Sequence, residues 1–297
     1  MITGHEEILF IYDVKNANPN GDPADENKPR IDEETGYNII TDVRLKRTIR
    51  DYLFTSKGYN GENNKDIFVR QTASKKKAGG IKDGKARAGD FGNDAGIILT
   101  KCIDIRLFGG VIPLSGASIT FTGPVQFKMG KSLHRVKLQY IKGTGAFASA
   151  DGDKQNTFRE EYILPYSLIA FYGIVNMNAA RITHLTETDL EEFYESIWMG
   201  TKNLITRSKF EHTPRLLITI KYSDENFFIG ELDKYIEFNS KMDDEKIRDI
   251  NDGELNISVL KGVLAKYIDR IKSINIRKDR RLNLGDWSIS KSNIYEE

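Results

Sequence analysis

Residues 6–23 read EEILFIYDVKNANPNGDP, a strong strand pattern followed by an abrupt break. The run from Ile8 to Tyr12 is apolar without alternation, which predicts a strand from about Glu6 to Lys15 that is buried on both faces of a sheet. The Asn, Gly and Pro residues that follow favour turns and cannot continue a strand ladder. The sequence therefore predicts a central strand that leads into a long polar loop.

An amphipathic helix is predicted after this loop. Thr41 suits the N-cap position and Asp42 the first turn, so we expect the helix to run through about Ser56. Its apolar residues share one face, as a helix packed on a sheet requires: Leu45, Ile49, Tyr52 and Leu53. Basic residues line up beside that face and form a cationic stripe, whereas Arg44 and Arg47 project elsewhere: Lys46, Arg50 and Lys57.

Two segments interrupt the regular pattern. Residues 57–104 are rich in Gly and Lys and poor in core-forming residues, which indicates an inserted, mobile, basic subdomain. Residues 129–160 have strand-like halves around the tip GTGAFASADGDK, which predicts an extended hairpin. Without these segments the chain reads strand, helix, strand, strand, helix, strand. That order is typical of a ferredoxin-like, RNA-recognition-type α+β fold, so we expect one elaborated domain.

Composition excludes several classes of protein. The 297 residues contain no apolar run as long as a membrane span and no signal-peptide pattern, so a cytoplasmic protein is expected. The single Cys102 excludes an internal disulfide and a cysteine zinc site, and its alternation with apolar residues in KCIDIRLF predicts a core strand position. The four histidines lack metal-site spacing, so we expect neither a metal nor another cofactor.

Charge is segregated along the chain although the net charge is only +1. Residues 1–40 carry nine acidic and three basic side chains, and residues 70–90 carry seven basic and two acidic ones. Residues 185–255 have a balance of about −8, and residues 261–281 of about +6. Several basic runs in one chain favour a polyanionic partner.

The sequence lacks the aromatic K/R-G-F/Y-G/A-F core with which RNA-recognition domains stack bases. RNA binding by this chain would therefore use loops, the cationic helix edge and the basic insert. Contacts of that kind hold phosphates and do not depend on the base sequence.

Several motifs occur in an order and spacing that resemble one family. They are NANPNGDP at 16–23, ITDVRLKRTIRDYL at 40–53, RLFGG at 106–110, TGPVQFKMGKSLHRV at 122–136 and YSLIAFYG at 166–173. Together they resemble the backbone subunit of type I CRISPR surveillance complexes (Cascade), of the RAMP superfamily, and are closest to its I-B and I-C branches. The resemblance runs from about residue 6 to residue 222.

The resemblance implies a hand-shaped protein in antiviral defence that polymerises head to tail along the guide RNA (crRNA) and presents its spacer to target DNA. Its palm would comprise residues 1–56, 105–128 and 161–297, its fingers residues 57–104 and its thumb hairpin residues 129–160. It also implies other Cascade subunits as partners: the large subunit, the small subunit, the 5′-handle-binding subunit and the crRNA-processing endonuclease. No membrane partner is expected.

The resemblance also implies where the guide backbone binds. The start of the first helix and its basic edge correspond here to Thr41, Lys46 and Arg50, with Arg44 and Arg47 as further candidates. The thumb of one subunit is expected to fold over the guide held by the next and to displace a base. A small, flexible tip with an apolar wedge suits that role, and the candidate wedge is Phe147, with Phe158 as the alternative.

Further cations are expected to contact phosphates. In the basic insert these are Lys75, Lys76 and Lys77, and at the base of the hairpin they are His134 and Arg135.

One alternative is enzymatic. Related backbone subunits of type III complexes cut target RNA with an acidic residue in the loop after the first strand, and this loop contains Asp22, Asp25 and Asp32. A metal-dependent endoribonuclease is therefore chemically conceivable. Because the surrounding motifs match type I, we expect a scaffold without catalytic residues.

Overall fold

The computed structural model of the protein describes residues 2–74, 79–114, 116–148 and 156–297, with the backbone alone at 144–148 and 156–159. In chain order, its strands are β1 (Glu6–Ala17), β2 (Gly21–Asp22), β3 (Lys28–Pro29), β4 (Tyr37–Ile40), β5 (Gly109–Leu114), β6 (Ala117–Thr122), β7 (Val125–Phe127), β8 (Gly130–Arg135), β9 (Gln139–Ala148), β10 (Asn156–Val175), β11 (His212–Tyr222), β12 (Glu237–Ser240), β13 (Gly253–Asn256), β14 (Ile271–Lys278) and β15 (Ser292–Glu296).

The α-helices of the described chain follow β4, precede β5, follow β10 and precede β14. They are α1 (Asp42–Ser56), α2 (Gly84–Gly89), α3 (Ala95–Lys101), α4 (Ile103–Phe108), α5 (Met177–Thr183), α6 (Glu187–Lys202) and α7 (Ser258–Lys266). The predicted helix after the polar loop is confirmed, because Thr41 occupies the N-cap of α1. Among the described residues, none of these helices has the length and apolar character needed to cross a membrane.

The main sheet has a strand order that agrees with the predicted fold class. Within the described residues its path is β15-β14-β11-β1-β10-β8-β4, with β7 and β9 also paired to β10. The central strand β1 is antiparallel to both β10 and β11. The order β11-β1-β10 followed by β7 and β8, with α1 and α6 as the crossover helices, is that of the ferredoxin-like, RNA-recognition-type fold. The predicted α+β fold class is confirmed.

One face of the sheet packs against α1 and α6. The apolar residues of β1 on this face meet the buried stripes of the two helices, in a cluster that includes Ile8, Phe10, Tyr12, Leu45, Ile49, Leu53, Leu190, Phe193 and Ile197. Gly200 lets the helices approach closely, since an added Cβ would lie 3.2 Å from the carbonyl oxygen of Thr48. The apolar periodicity of both helices is thereby explained.

The opposite face is covered by the C-terminal part of the chain. Leu9 and Ile11 of β1 belong to a second cluster, in which residues of β11 pack against residues from the last third of the chain, including Leu232, Phe238, Leu255, Leu260 and Leu264. The strand β1 is therefore buried on both faces, as its unbroken apolar run predicts. The sheet face with which RNA-recognition domains usually stack bases is covered here.

The insert has a small core of its own. Eight buried residues form a third cluster: Phe68, Ala88, Phe91, Ile98, Leu99, Cys102, Ile105 and Ile112. Cys102 is buried as predicted, but the predicted strand is wrong, since Cys102 lies between α3 and α4. The apolar residues of this stretch recur at helical spacing as well as in alternation, and the packing of the insert selects the helices.

A hairpin is formed by β9 and β10 within the predicted segment 129–160, but it starts at Gln139, because Gly130–Arg135 is β8 and pairs with β4 and β10 in the main sheet. The strand β10 has twenty residues, and its second half pairs with β1 whereas its first half pairs with β9, from Ile163 opposite Gln139 to Asn156 opposite Ala148. One continuous strand therefore joins the sheet to the hairpin, which extends from the edge of the core.

Candidate nucleic-acid interface

The polar loop after β1 is fastened to the start of α1. The side-chain oxygen Oδ1 of Asn20 accepts hydrogen bonds from the backbone N–H and the hydroxyl of Thr41, each at 2.8 Å. The hydroxyl of Thr41 is thereby used as a donor, and it does not cap its own helix. The predicted phosphate contact at Thr41 thus lies at a helix start that the loop already holds in place.

Lys46 lies on the inner side of α1. Its ammonium donates to Asp42 at 2.9 Å and to Gln126 at 3.2 Å, and it sits 5.7 Å from the centre of the Phe108 ring. Only 10% of its side chain is exposed. This cation is neutralised within the protein, so it presents little charge to an external phosphate.

Arg50 has a structural partner as well. Its Nε donates to the fully buried carboxylate of Asp104 at 3.0 Å, and its guanidinium lies 5.0 Å from the centre of the Phe108 ring. Asp104 also accepts hydrogen bonds from the backbone N–H groups of Phe68 and Val69. Arg50 therefore joins α1 to the insert.

The other two arginines of α1 differ from each other. Arg47 is exposed and pairs with Asp51 one turn later, at 2.6 Å. Arg44 donates to the hydroxyl of Thr48 and, among the described residues, has no carboxylate within ion-pair distance. Burial lowers the pKa of Arg44, and this effect outweighs the opposing influence of the Asp51 carboxylate, which lies beyond ion-pair distance.

A second cation, which the sequence pattern does not single out, lies close enough to Arg44 for the two positive charges to repel each other. Lys209 is the last residue of a 3₁₀ turn at Arg207–Lys209, and its ammonium donates to the carbonyl oxygen of Asn18 at 3.0 Å. Burial lowers the pKa of Lys209, and the charge of Arg44 lowers it further. Within the described chain, Lys209 has no carboxylate partner either. Two half-buried cations, neither of which forms an ion pair with a described residue, make a site that favours an anion.

Unpaired polar atoms lie at the same place. The Oδ1 of Asn18 and both ring nitrogens of His212 are buried without a well-formed hydrogen bond in the described part of the chain, and the backbone carbonyls of Lys209 and Phe210 lie near the ring in poor geometry. His212 stacks on Tyr12, with the ring centres 5.9 Å apart. Because buried polar atoms are usually paired, these groups together with Arg44 and Lys209 mark a place where a polar ligand is expected. We call these four residues (Asn18, Arg44, Lys209 and His212) the cationic site.

Only a short stretch of sequence could have pointed to the cationic site. Residues 206–212 read TRSKFEH, in which two basic residues are interleaved with an aromatic one directly before a strand. Basic residues with an aromatic among them are typical of nucleic-acid contacts. A segment this short could not be distinguished from an ordinary loop until the fold placed it next to α1.

The structure disagrees with the predicted phosphate contact at His134. The ring is buried and stacks on Tyr166. Its Nδ1 donates to the carbonyl oxygen of Arg135 at 2.8 Å, and its Nε2 accepts from the backbone N–H of Leu168 at 3.3 Å. Burial lowers the pKa of His134, so the neutral ring is favoured. Both nitrogens are used inside the sheet, because the alternation along β8 points this residue inward.

Arg135, the next residue, is exposed. It lines an open groove together with the acidic run of Asp243, Asp244 and Glu245, and its backbone N–H donates to Asp244 at 3.0 Å. The cations Lys137, Lys246 and Arg248 line the same groove, so side chains of both charges meet there. The phosphate contact at Arg135 therefore stays a prediction.

Within the described residues of the insert, several of the basic side chains form ion pairs with acidic ones. Arg70 and Arg87 both pair with Asp66, and Arg87 also pairs with Asp90. The predicted phosphate contacts Lys75, Lys76 and Lys77 lie outside the described residues. The predicted wedge Phe147 and its alternative Phe158 have described backbone in β9 and β10, and their side chains lie outside the description.

The acidic residues of the polar loop are dispersed. Asp22 pairs with Arg30 at 2.7 Å, and Asp25 pairs with Lys28 at 2.7 Å. Asp32 accepts from the hydroxyl of Thr35, which lowers the pKa of Asp32. Among the described residues, no group of three or more His, Cys, Asp or Glu side chains is arranged to hold a metal ion.

Two solved structures resemble this fold closely enough to be compared over the whole chain. A chain of a CRISPR RNA-guided surveillance complex in a pre-nicking state matches with a TM-score of 0.57 at 12% identity and covers 99% of this chain and 96% of its own. A chain of another CRISPR RNA-guided surveillance complex matches with a TM-score of 0.54 at 13% identity, over 97% and 94% of the two chains. At these identities the matches establish the fold.

Sequence comparison establishes the family. The family model described as CRISPR-associated protein Cas7 matches residues 4–258. The CRISPR-associated protein Cas7 of Haloferax volcanii is 31% identical over an alignment of 314 positions, which covers 95% of this chain and 90% of that protein. The chain therefore belongs to the Cas7 family of CRISPR-associated proteins.

Proposed function

We propose that this chain is the non-catalytic backbone subunit of a CRISPR surveillance complex, which binds guide RNA and polymerises along it head to tail in the cytoplasm. Its membership of the Cas7 family and the likeness of its fold to chains of two RNA-guided surveillance complexes support this role. The guide would pair with target DNA. The large subunit, the small subunit, the 5′-handle-binding subunit and the crRNA-processing endonuclease would be its other partners.

The main support at the level of residues comes from Arg44 and Lys209. Both are half-buried, their positive charges are close enough to repel each other, and neither forms an ion pair within the described chain. A phosphate of the guide would supply the missing counter-charge. The ammonium of Lys209 and the guanidinium of Arg44 would both donate hydrogen bonds to the phosphate. These bonds would be stronger than those of fully exposed cations, because both groups are partly desolvated.

Lys46 and Arg50 act on the guide indirectly in this proposal. Their ion pairs with Asp42 and Asp104 fix the first turns of α1 and dock the insert against the palm. Thr41 lies at the helix start, where backbone N–H groups favour an anion. Removal of Lys46 or Arg50 would displace the helix that carries Arg44, whereas removal of Arg44 would delete the contact itself.

Binding would not depend on the guide sequence. The C-terminal third covers the sheet face on which bases could otherwise be read. The cationic site offers charged donors for phosphates and no row of side chains for base edges. A subunit that must accept any spacer needs this property.

The hand-like division of the chain is part of the proposal. Residues 57–104 would be the fingers, with most of the third cluster as their core, and residues 129–160 the thumb, based on β9 and β10. The remaining segments (1–56, 105–128 and 161–297) would form the palm. The thumb of one subunit would reach the guide held by the next and displace one base with Phe147.

The absence of catalysis is supported by the polar loop. Its carboxylates at Asp22, Asp25 and Asp32 are held by different partners and do not converge. A ribonuclease of the type III kind would need such a carboxylate beside a metal or at the target phosphate. Incubation of the assembled protein with complementary labelled RNA and magnesium tests this point. Regularly spaced cuts that disappear in Asp32→Ala would establish the nuclease instead.

Assembly is tested by producing the protein together with a guide RNA and separating the products by gel filtration, with absorbance read at 260 and 280 nm. We expect a large particle that contains the guide, and an equal yield when the spacer is replaced by a shuffled sequence. A monomer free of RNA at moderate salt would contradict the proposed function.

A further inference from the structure

Phe210 is an exposed aromatic residue next to the cationic site. It directly follows Lys209 and precedes β11, and 56% of it is exposed to solvent. Its neighbour two residues later, His212, is 5% exposed. Exposing a large aromatic ring forgoes the stabilisation that its burial would provide, so this position gives up favourable packing.

The backbone next to Phe210 adopts an unfavourable conformation. Glu211 has a φ of 57°, and Asn16, in the neighbouring strand β1, has a φ of 49°. The left-handed conformation is unfavourable for a residue such as glutamate, whereas asparagine tolerates it better. The backbone N–H of Lys15 donates to the carbonyl oxygen of Glu211 at 3.3 Å, so the two unusual residues lie side by side. This turn separates Phe210 from the ladder of β11.

The segment that carries Phe210 is nevertheless held firmly. The backbone N–H of Asn18 donates to the carbonyl oxygen of Ser208 at 2.8 Å, and Lys209 donates back to the carbonyl oxygen of Asn18. Arg207 pairs with Glu161 at the base of the hairpin, at 2.7 Å. Phe210 is thus presented on a support that is tied both to the loop after β1 and to the hairpin.

We propose that Phe210 is a stacking platform for one base of a single-stranded RNA whose phosphate lies against Arg44 and Lys209. An exposed aromatic ring beside cations that hold the backbone is the combination with which single-strand binders hold RNA without reading its sequence. The inference rests on the proposed function, and it adds a base contact in the palm that is independent of the hairpin tip.

The test uses the full-length protein and two short RNAs of equal length: one is uniform in sequence, and the other carries abasic sites throughout. The variants are Phe210→Ala, Phe210→Trp and, as a matched control, Ile205→Ala. Ile205 is exposed in the same segment and has no ring to stack. Affinities are measured by fluorescence anisotropy at several salt concentrations, and particle formation by gel filtration.

We expect Phe210→Ala to bind the normal RNA about five- to tenfold more weakly, with an unchanged salt slope. The abasic RNA should bind both proteins equally, Phe210→Trp should retain the affinity, and Ile205→Ala should match the wild type. Equal binding of the normal RNA by wild type and Phe210→Ala would overturn the inference. Loss of particle formation with unchanged RNA affinity would also overturn it and assign Phe210 to a contact between copies. If the wild type itself shows no salt-dependent RNA binding, the proposed function fails as well.

Discussion

Asn20 and Thr41 are joined by two hydrogen bonds to a single atom, since the Oδ1 of Asn20 accepts from both the backbone N–H and the hydroxyl of Thr41 at 2.8 Å. These two hydrogen bonds attach the start of the polar loop, at Asn20, to the N-cap of α1, and we call this attachment the strap. The loop begins at the end of β1, and the chain continues from it through β4 into α1. The position of the α1 N-terminus beside the cationic site depends on this strap.

The substitution Asn20→Ala should release the strap. Two hydrogen bonds would be lost and the amide of Thr41 would lack a partner, so we expect the free energy of unfolding to fall by about 1–2 kcal/mol. Asn20→Asp keeps an acceptor oxygen and should lose less. Urea denaturation of the two variants and the wild type measures the difference. Equal stability of wild type and Asn20→Ala would show that the strap contributes nothing.

Much of the fold could be predicted from the pattern of apolar residues. The unbroken run at 8–12 correctly predicts a strand buried on both faces, and the spacing of Leu45, Ile49 and Leu53 correctly predicts the helix that packs on it. The short helices around Cys102 could not be predicted, because a stretch of apolar residues at mixed spacing fits a strand as well as a helix. Only the packing of the insert distinguishes the two.

Arg50→Ala tests whether the cationic stripe of α1 is structural. The buried carboxylate of Asp104 would lose its counter-charge and keep only its two backbone donors, so we expect a loss of about 3 kcal/mol in the free energy of unfolding. Arg47→Ala is the matched control on the same helix, where the exposed pair with Asp51 should contribute less than about 0.5 kcal/mol. Thermal unfolding followed by circular dichroism measures both. A wild-type melting temperature for Arg50→Ala would refute the structural role.

The buried imidazole of His212 should make stability depend on pH. Burial, together with the charge of Lys209, lowers its pKa from 6.5 to about 3. Between those pH values His212 binds a proton in the unfolded chain but not in the folded protein. Protonation therefore favours unfolding, and the free energy of unfolding declines as the pH falls below 6.5. We expect a loss of about 1–2 kcal/mol between pH 6.5 and pH 5 relative to His212→Phe, which retains a ring to stack on Tyr12.

Denaturation curves at both pH values, recorded for wild type and His212→Phe, provide that comparison. Other groups that titrate in this range contribute equally to the two proteins, so the difference isolates His212. Parallel losses in both proteins would show that the imidazole is protonated in the folded state.

The candidate site was only partly predictable. Helical spacing places Lys46 and Arg50 beside the buried face, but it does not reveal that Asp42 and Asp104 neutralise them. Lys209 lies 165 positions after Arg44 in the sequence, and it comes near Arg44 only because β11 pairs with β1 and α1 packs on β1. For the same reason the inward orientation of His134 could not be read from its basic neighbours.

The most direct test of the account is the salt dependence of guide-RNA affinity for wild type, Arg44→Ala with Lys209→Ala, and Arg47→Ala, each measured with two unrelated guide sequences. Each phosphate contact on a single strand contributes about 0.7 to the slope of log K against log salt. We predict that the double variant loses about 1.4 from the slope and weakens equally for both guides, while Arg47→Ala stays close to the wild type. A double variant with the slope and affinity of the wild type would contradict the assignment of the cationic site.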